Sequence, residues 1–156
     1  MMKLGFLVWF PSAALLLTIL FGGVVAPPRN PRVHFDRTIE AHVTIPAEVG
    51  RVLQRSCYDC HSYQTRWPWY SQLPGISGML YRHVEKARRH LNLSDWSTKM
   101  AEGPEEAQAS LNGICEELRS DSMPIERYRW LHRDAAVSRG EVETVCRWTA
   151  SIKSFH

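Results

Sequence analysis

The chain has 156 residues, and setting aside an apolar head of 26 leaves 130, room for one compact domain. With 44% hydrophobic residues and a formal charge of +3 it is neither a disordered polar tract nor a multispanning membrane protein, and its 19 basic residues are too dispersed for a nucleic-acid surface. Nine Gly and nine Pro exclude collagen-like chains, while six Trp call for an aromatic core or a large flat partner.

From Leu4 to Ala26 run 23 residues without a charge, enough to cross a lipid bilayer at about 1.5 Å per residue. Ala26 is small, as a signal-peptide cleavage site requires, but Pro27 directly after it disfavours cutting, so residues 1–26 read as an uncleaved transmembrane anchor rather than a cleaved signal segment. Pro11 and Gly22-Gly23 are tolerable in lipid. Lys3 on one side and Arg29, Arg32 and Arg37 on the other leave the orientation open on charge alone.

Residues 27–45, opening PPRNPR, lack helical periodicity and read as an extended linker, followed by a domain over 46–156. Pro46 opens a helix over about 46–60, with Val49, Val52, Leu53 and Ser56 at helical spacing. A loop holding Trp67, Pro68, Trp69, Tyr70 and Pro74 follows, then Ile76, Leu80, Val84, Ala87 and Leu91 recur at three and four. Pro104 opens a third helix with the stripe Ala107, Leu111, Ile114, Cys115, Leu118, which Met123-Pro124 breaks. Ser138-x-x-Glu141 is a capping box, and Val142, Val145, Cys146, Thr149 and Ile152 mark the inward face of a last helix. The expected class is all-α.

The chemistry is concentrated in Cys57-Tyr58-Asp59-Cys60-His61, a C-x-x-C-H pattern that attaches c-type haem. Two thiols three positions apart reach the two vinyl groups of one porphyrin, and the adjacent His places an imidazole beneath the iron as proximal ligand. A thioredoxin-like CxxC wants a βαβ context, and structural zinc wants a second paired ligand set; neither is present.

The second axial ligand should come from the far half of the domain. Met123 lies 62 residues beyond His61 in a loop flanked by Asp121, Ser122 and Pro124, away from any apolar stripe that would make it core filling. Met79, His83 and His90 share a helix face whose neighbours Arg82, Lys86, Arg88 and Arg89 mark it as solvated, and His132 suits hydrogen bonding better than ligation. His61 and Met123 are therefore the expected iron ligands.

Ser56 to Ser62, Thr65-Arg-Trp-Pro-Trp-Tyr-Ser71 and Arg89-His-Leu-Asn-Leu-Ser-Asp-Trp96 resemble the bacterial haem-binding domain family of membrane-anchored, cytochrome-c-like proteins. The likeness continues through Met123-Pro124, Tyr128, His132, Ala135, Ser138-x-x-Glu141 and Trp148, about residues 30–152. It implies a cytochrome-c-like helical fold, one covalent haem c per chain and Met as distal ligand. Many relatives carry a second Pro after Met-Pro where this chain has Ile125, which leaves the ligand loop less constrained.

Two features stay open. Trp67 and Tyr70 are either haem-binding residues that contact propionates and wall the ring, or part of an aromatic core. Cys115 and Cys146 are either small buried hydrophobes or a disulfide stapling the helices that flank the Met123 loop.

The expected function is electron transfer by a membrane-tethered monohaem c-type cytochrome, with redox proteins at the membrane as partners and no nucleic acid. Since haem is attached to CxxCH outside the cytoplasm, the domain should sit on the periplasmic side of the bacterial cytoplasmic membrane. An electron carrier is expected rather than an enzyme. The alternative is a haem peroxidase or small-molecule sensor with a labile sixth ligand, and a third reading is a CxxC thiol oxidoreductase on Cys57 and Cys60.

Overall fold

The structure, a computed structural model, describes Ala26 and residues 29–155. Residues 4–25 of the expected membrane span lie outside the described residues, and among those described no helix is long and apolar enough to cross a membrane. The described residues form helices and no strand, as the periodicities require.

The described residues divide into two compact units, one holding Trp67–Arg82, the other Arg29–Arg66 with residues 83–155. In the first, Pro68 leads into a 3-10 turn over Trp69–Gln72. The Ser71 hydroxyl, fully buried, donates to the Pro68 carbonyl at 2.6 Å, and Gly75 takes φ 82°, a backbone conformation that favours glycine, before the next helix. Trp69 and Tyr70 meet edge to face at 5.8 Å.

The second unit holds the core. In chain order the helices are α1 (Ile39–His42), α2 (Ala47–Ser56), α3 (Tyr58–His61), α4 (Ile76–His90, of which residues 83–90 belong here), α5 (Trp96–Glu102), α6 (Pro104–Arg119), α7 (Glu126–Leu131) and α8 (Arg139–Ser151). The predicted stripes point inward: Val49, Val52 and Leu53 of α2, Ala107, Leu111, Ile114 and Leu118 of α6, and Val145 of α8 share one core with Ile39, Leu93, Trp96 and Trp148, the last of these outside the expected stripe. Burying each large aliphatic side chain contributes about 1.5–3 kcal/mol. Pro104 opens α6 and the Ser138–Glu141 capping box closes the N-terminus of α8, both as expected.

Cys115 and Cys146 are joined as a disulfide between α6 and α8, with Cα atoms 4.9 Å apart. This resolves the open pair in favour of the bridge.

Three expectations need correction. The segment 27–45 is not an extended linker: Phe35–Arg37 forms a 3-10 turn, Ile39–His42 is helical, and Ile39 and Val43 are buried, so the folded body starts before residue 46. A four-residue helix is too short to show a period and stands because tertiary burial holds it. The helix over 46–60 is two helices, α2 and α3, parted at Cys57. Finally α5 and α7, of seven and six residues, form where the sequence shows no helical period, for the same reason of length.

Candidate functional site

Cys57 takes φ −119°, ψ −39° between α2 and α3, and its carbonyl accepts the amides of both Cys60 (3.2 Å) and His61 (2.9 Å). The motif is thus one tight turn docked on the end of α2. Its two middle residues face neighbouring elements: the Tyr58 hydroxyl donates to Glu40 of α1, and the buried Asp59 carboxylate receives Arg66 and the Tyr128 hydroxyl.

His61 is held by the strap that follows α4. Its Nδ1 lies 3.0 Å from the Leu91 carbonyl oxygen. A carbonyl only accepts, so Nδ1 carries the proton and Nε2 keeps its lone pair for a metal. Burial pushes the imidazole below its ordinary 6.5, the backbone carbonyls of Leu91 and Ala87 opposing this in part, so the ring is neutral at pH 7 as ligation requires. The Leu93 amide bonds the His61 carbonyl at 2.7 Å, while the Leu93 carbonyl takes the amide of Ile39 at 2.9 Å. Ser94 Oγ accepts the Tyr63 amide at 3.0 Å, and Trp96 is wholly buried. These bonds tie the run from Leu91 to Ser94 to the CxxCH turn and the residues just after it.

Cys57 and His61 line a cavity of about 570 Å³, within the range of cofactor sites. Leu53, Leu91, Leu93, Ile114, Leu118 and Pro124 supply most of its apolar wall. Met123 lines the same cavity, brought opposite in sequence by α6, whose C-terminal turn accepts the Met123 amide at the Glu117 carbonyl (3.2 Å). Met123 is 38% exposed and Pro124 is buried beside it. Cys60 is half-buried on α3 and is not among the lining residues. Burial pushes the Cys57 thiol up to about 12, with Cys60 adding to the rise, and the Cys60 thiol up to about 11.

The face of α4 that its polar residues marked as solvated is exposed and is also a cavity wall: His83, Lys86 and His90 line it. A helix face bordering an open cofactor-sized space carries the same polar pattern as one facing bulk water, so sequence alone does not separate them. On α6, a Cβ added at Gly113 would meet nothing within 4 Å, and that residue also lines the cavity. Trp67 and Tyr70 belong to the first unit; the Trp67 indole N–H is buried there without a hydrogen-bond partner among the described residues. His132 stacks on Tyr128, with ring centroids 4.2 Å apart.

The site is therefore an apolar cavity in a helical domain, with a neutral imidazole and a thioether on its wall and a CxxCH turn at its edge. The chain belongs to the haem-binding domain family, whose match runs over residues 16–151. It is a haem-binding protein. No curated protein and no solved structure matches it. The residues present fit haem: the apolar wall suits the macrocycle, the open position at Gly113 leaves room, and the wall offers an imidazole nitrogen at His61 and a thioether sulfur at Met123, donor types that haem iron takes.

Proposed function

We propose that this chain is a membrane-tethered monohaem c-type cytochrome that transfers electrons on the periplasmic side of the bacterial cytoplasmic membrane. Cys57 and Cys60 hold the haem through thioether bonds, His61 and Met123 are its axial ligands, and the fold is cytochrome-c-like. The observation that carries this reading is that Cys57, His61 and Met123 line one apolar cavity although 62 positions separate the last two.

Bound haem supplies a one-electron couple. The chain's own part is to fix the His61 tautomer through Leu91, to exclude water with Leu53, Leu93, Ile114 and Leu118, and to present a thioether that favours the reduced metal. The raised thiols speak against a thiol oxidoreductase, whose attacking cysteine works as a thiolate of lowered pKa. The Cys115–Cys146 disulfide suits an oxidising compartment. Residues 4–26 are the proposed bilayer anchor, and redox proteins at the membrane the proposed partners.

The test is the purified, membrane-extracted protein. Haem should stay with the polypeptide in acidified organic solvent, and Cys57→Ala with Cys60→Ala should release it. The ferric protein should be low-spin with a sulfur-to-iron charge-transfer band that Met123→Ala removes. Freely extracted haem overturns covalent attachment, and retention of the band in the variant overturns Met123 ligation. The chain should also resist high-salt and alkaline washing of membranes.

A second reading, a peroxidase or sensor with a labile sixth position, is favoured by the 38% exposure of Met123. A high-spin wild type that binds carbon monoxide or turns over peroxide readily would select it.

A further inference from the structure

The loop that carries Met123 is attached on one side to the end of α6, where the Ser122 and Ser120 hydroxyls lie 2.8 Å apart. The amides of Ser122 and Met123 both bond the Glu117 carbonyl at the end of α6, at 3.1 and 3.2 Å. On the other side the chain enters α7, a helix with no buried residue, where Trp130 and Leu131 are 66% and 67% exposed. Hydrophobic burial therefore does little to fix α7, and polar contacts must.

One of these contacts reaches the haem-attachment turn. The Tyr128 hydroxyl donates to Asp59 Oδ2 at 2.7 Å, across 69 residues of sequence. Asp59 is the second middle residue of CxxCH, and its side chain is 11% exposed. Its remaining acceptor positions are taken by Arg66, from the backbone amide (2.9 Å), Nε (3.1 Å) and the terminal nitrogen (3.0 Å). That ion pair is local, and the Arg66 side chain is 65% exposed, so solvent screens it. The Tyr128 bond is the long-range member, and a charged acceptor makes it one of the stronger kinds of hydrogen bond. At the far side of the loop Arg129, the next residue on α7, pairs with Asp121, whose φ of 56° turns the chain out of α6.

We propose that Asp59 and Tyr128 are positioning residues for the distal ligand: their bond ties the Met123 loop, through α7, to the same turn that carries His61, and so sets the separation of the two axial donors. His61 lies two residues from Asp59, and Met123 five residues from Tyr128. Proximal and distal sides are thereby referenced to each other through a side-chain bond, and Met123 is held at the iron without a rigid hydrophobic seat beneath α7. The proposal rests on the reading of Met123 as the sixth ligand.

The experiment compares full-length, haem-loaded wild type with Tyr128→Phe, Asp59→Asn and Tyr58→Phe. Tyr128→Phe removes one hydroxyl and should keep stoichiometric covalent haem, yet weaken the sulfur-to-iron band, lower the midpoint potential and raise the apparent carbon monoxide affinity of the reduced protein about tenfold, since the exogenous ligand competes with a less firmly held thioether. Asp59→Asn, which keeps the shape and one acceptor oxygen, should move the same readouts the same way. Tyr58→Phe removes the comparable hydroxyl facing Glu40 and should move none of them. A band, potential and carbon monoxide affinity unchanged in both Tyr128→Phe and Asp59→Asn would overturn the proposal while leaving Met123 ligation standing. A wild type without the band would overturn the ligand reading and the proposal together.

Discussion

The Nδ1–H of His61 donates to the carbonyl oxygen of Leu91 at 3.0 Å, thirty positions away in sequence. A main-chain atom thus decides which imidazole nitrogen is left for a metal. Because burial lowers the pKa of this ring, the native state binds fewer protons than the unfolded chain between the folded value and the ordinary 6.5. Its stability contribution is fully present above pH 6.5 and is lost as the pH falls through the folded pKa. Denaturant unfolding of haem-free protein from pH 7.5 to 5 should show this loss, and His61→Gln should flatten that share of it. Equal slopes in the two proteins would refute the assignment.

The two thiols of the motif should be sluggish before haem is attached. With Cys57 near 12 and Cys60 near 11, alkylation of the haem-free protein at pH 8 should be about a hundredfold slower than that of an exposed cysteine, and should accelerate on denaturation. Fast labelling in the native state would revive the thiol-oxidoreductase reading.

Gly113 should separate stability from cofactor binding. It sits within α6, where glycine costs about 1 kcal/mol relative to alanine, and a Cβ there meets nothing within 4 Å. Gly113→Ala should stabilise the haem-free chain by up to about 1 kcal/mol, whereas Gly113→Phe should fill the cavity and lower haem incorporation. Thermal melts and haem-to-protein ratios report the two effects. Normal loading of Gly113→Phe would show that haem does not occupy the space beside this residue.

The Cys115–Cys146 bridge closes a loop of 31 residues in separation, and removing it by paired alanine substitution should cost about 3 kcal/mol in denaturant unfolding. Haem attachment should persist, since neither cysteine lines the cavity. Loss of covalent haem in the folded double variant would contradict this division between structural and haem-binding cysteines.

Local patterns in the sequence determined a good part of this protein. The all-helical class, the inward stripes of α6 and α8, the Pro104 start, the Ser138–Glu141 cap and the CxxCH turn all follow from neighbours within a few residues, where spacing and backbone chemistry act directly. The one- and two-turn helices α1, α5 and α7 were illegible because so few residues cannot display a period, and burial of Ile39 and Trp96 stabilises what propensity does not. Tertiary structure alone decided that Met123 lines the same cavity as His61, that Cys115 and Cys146 lie 4.9 Å apart, and that the polar face of α4 borders a cavity. It also decided the partners of His61 and Asp59, for a backbone carbonyl has no letter in the sequence and a tyrosine 69 residues away has no periodic relation to the acid it meets. Distances between remote segments are set by how helices pack, and packing is a property of the whole core.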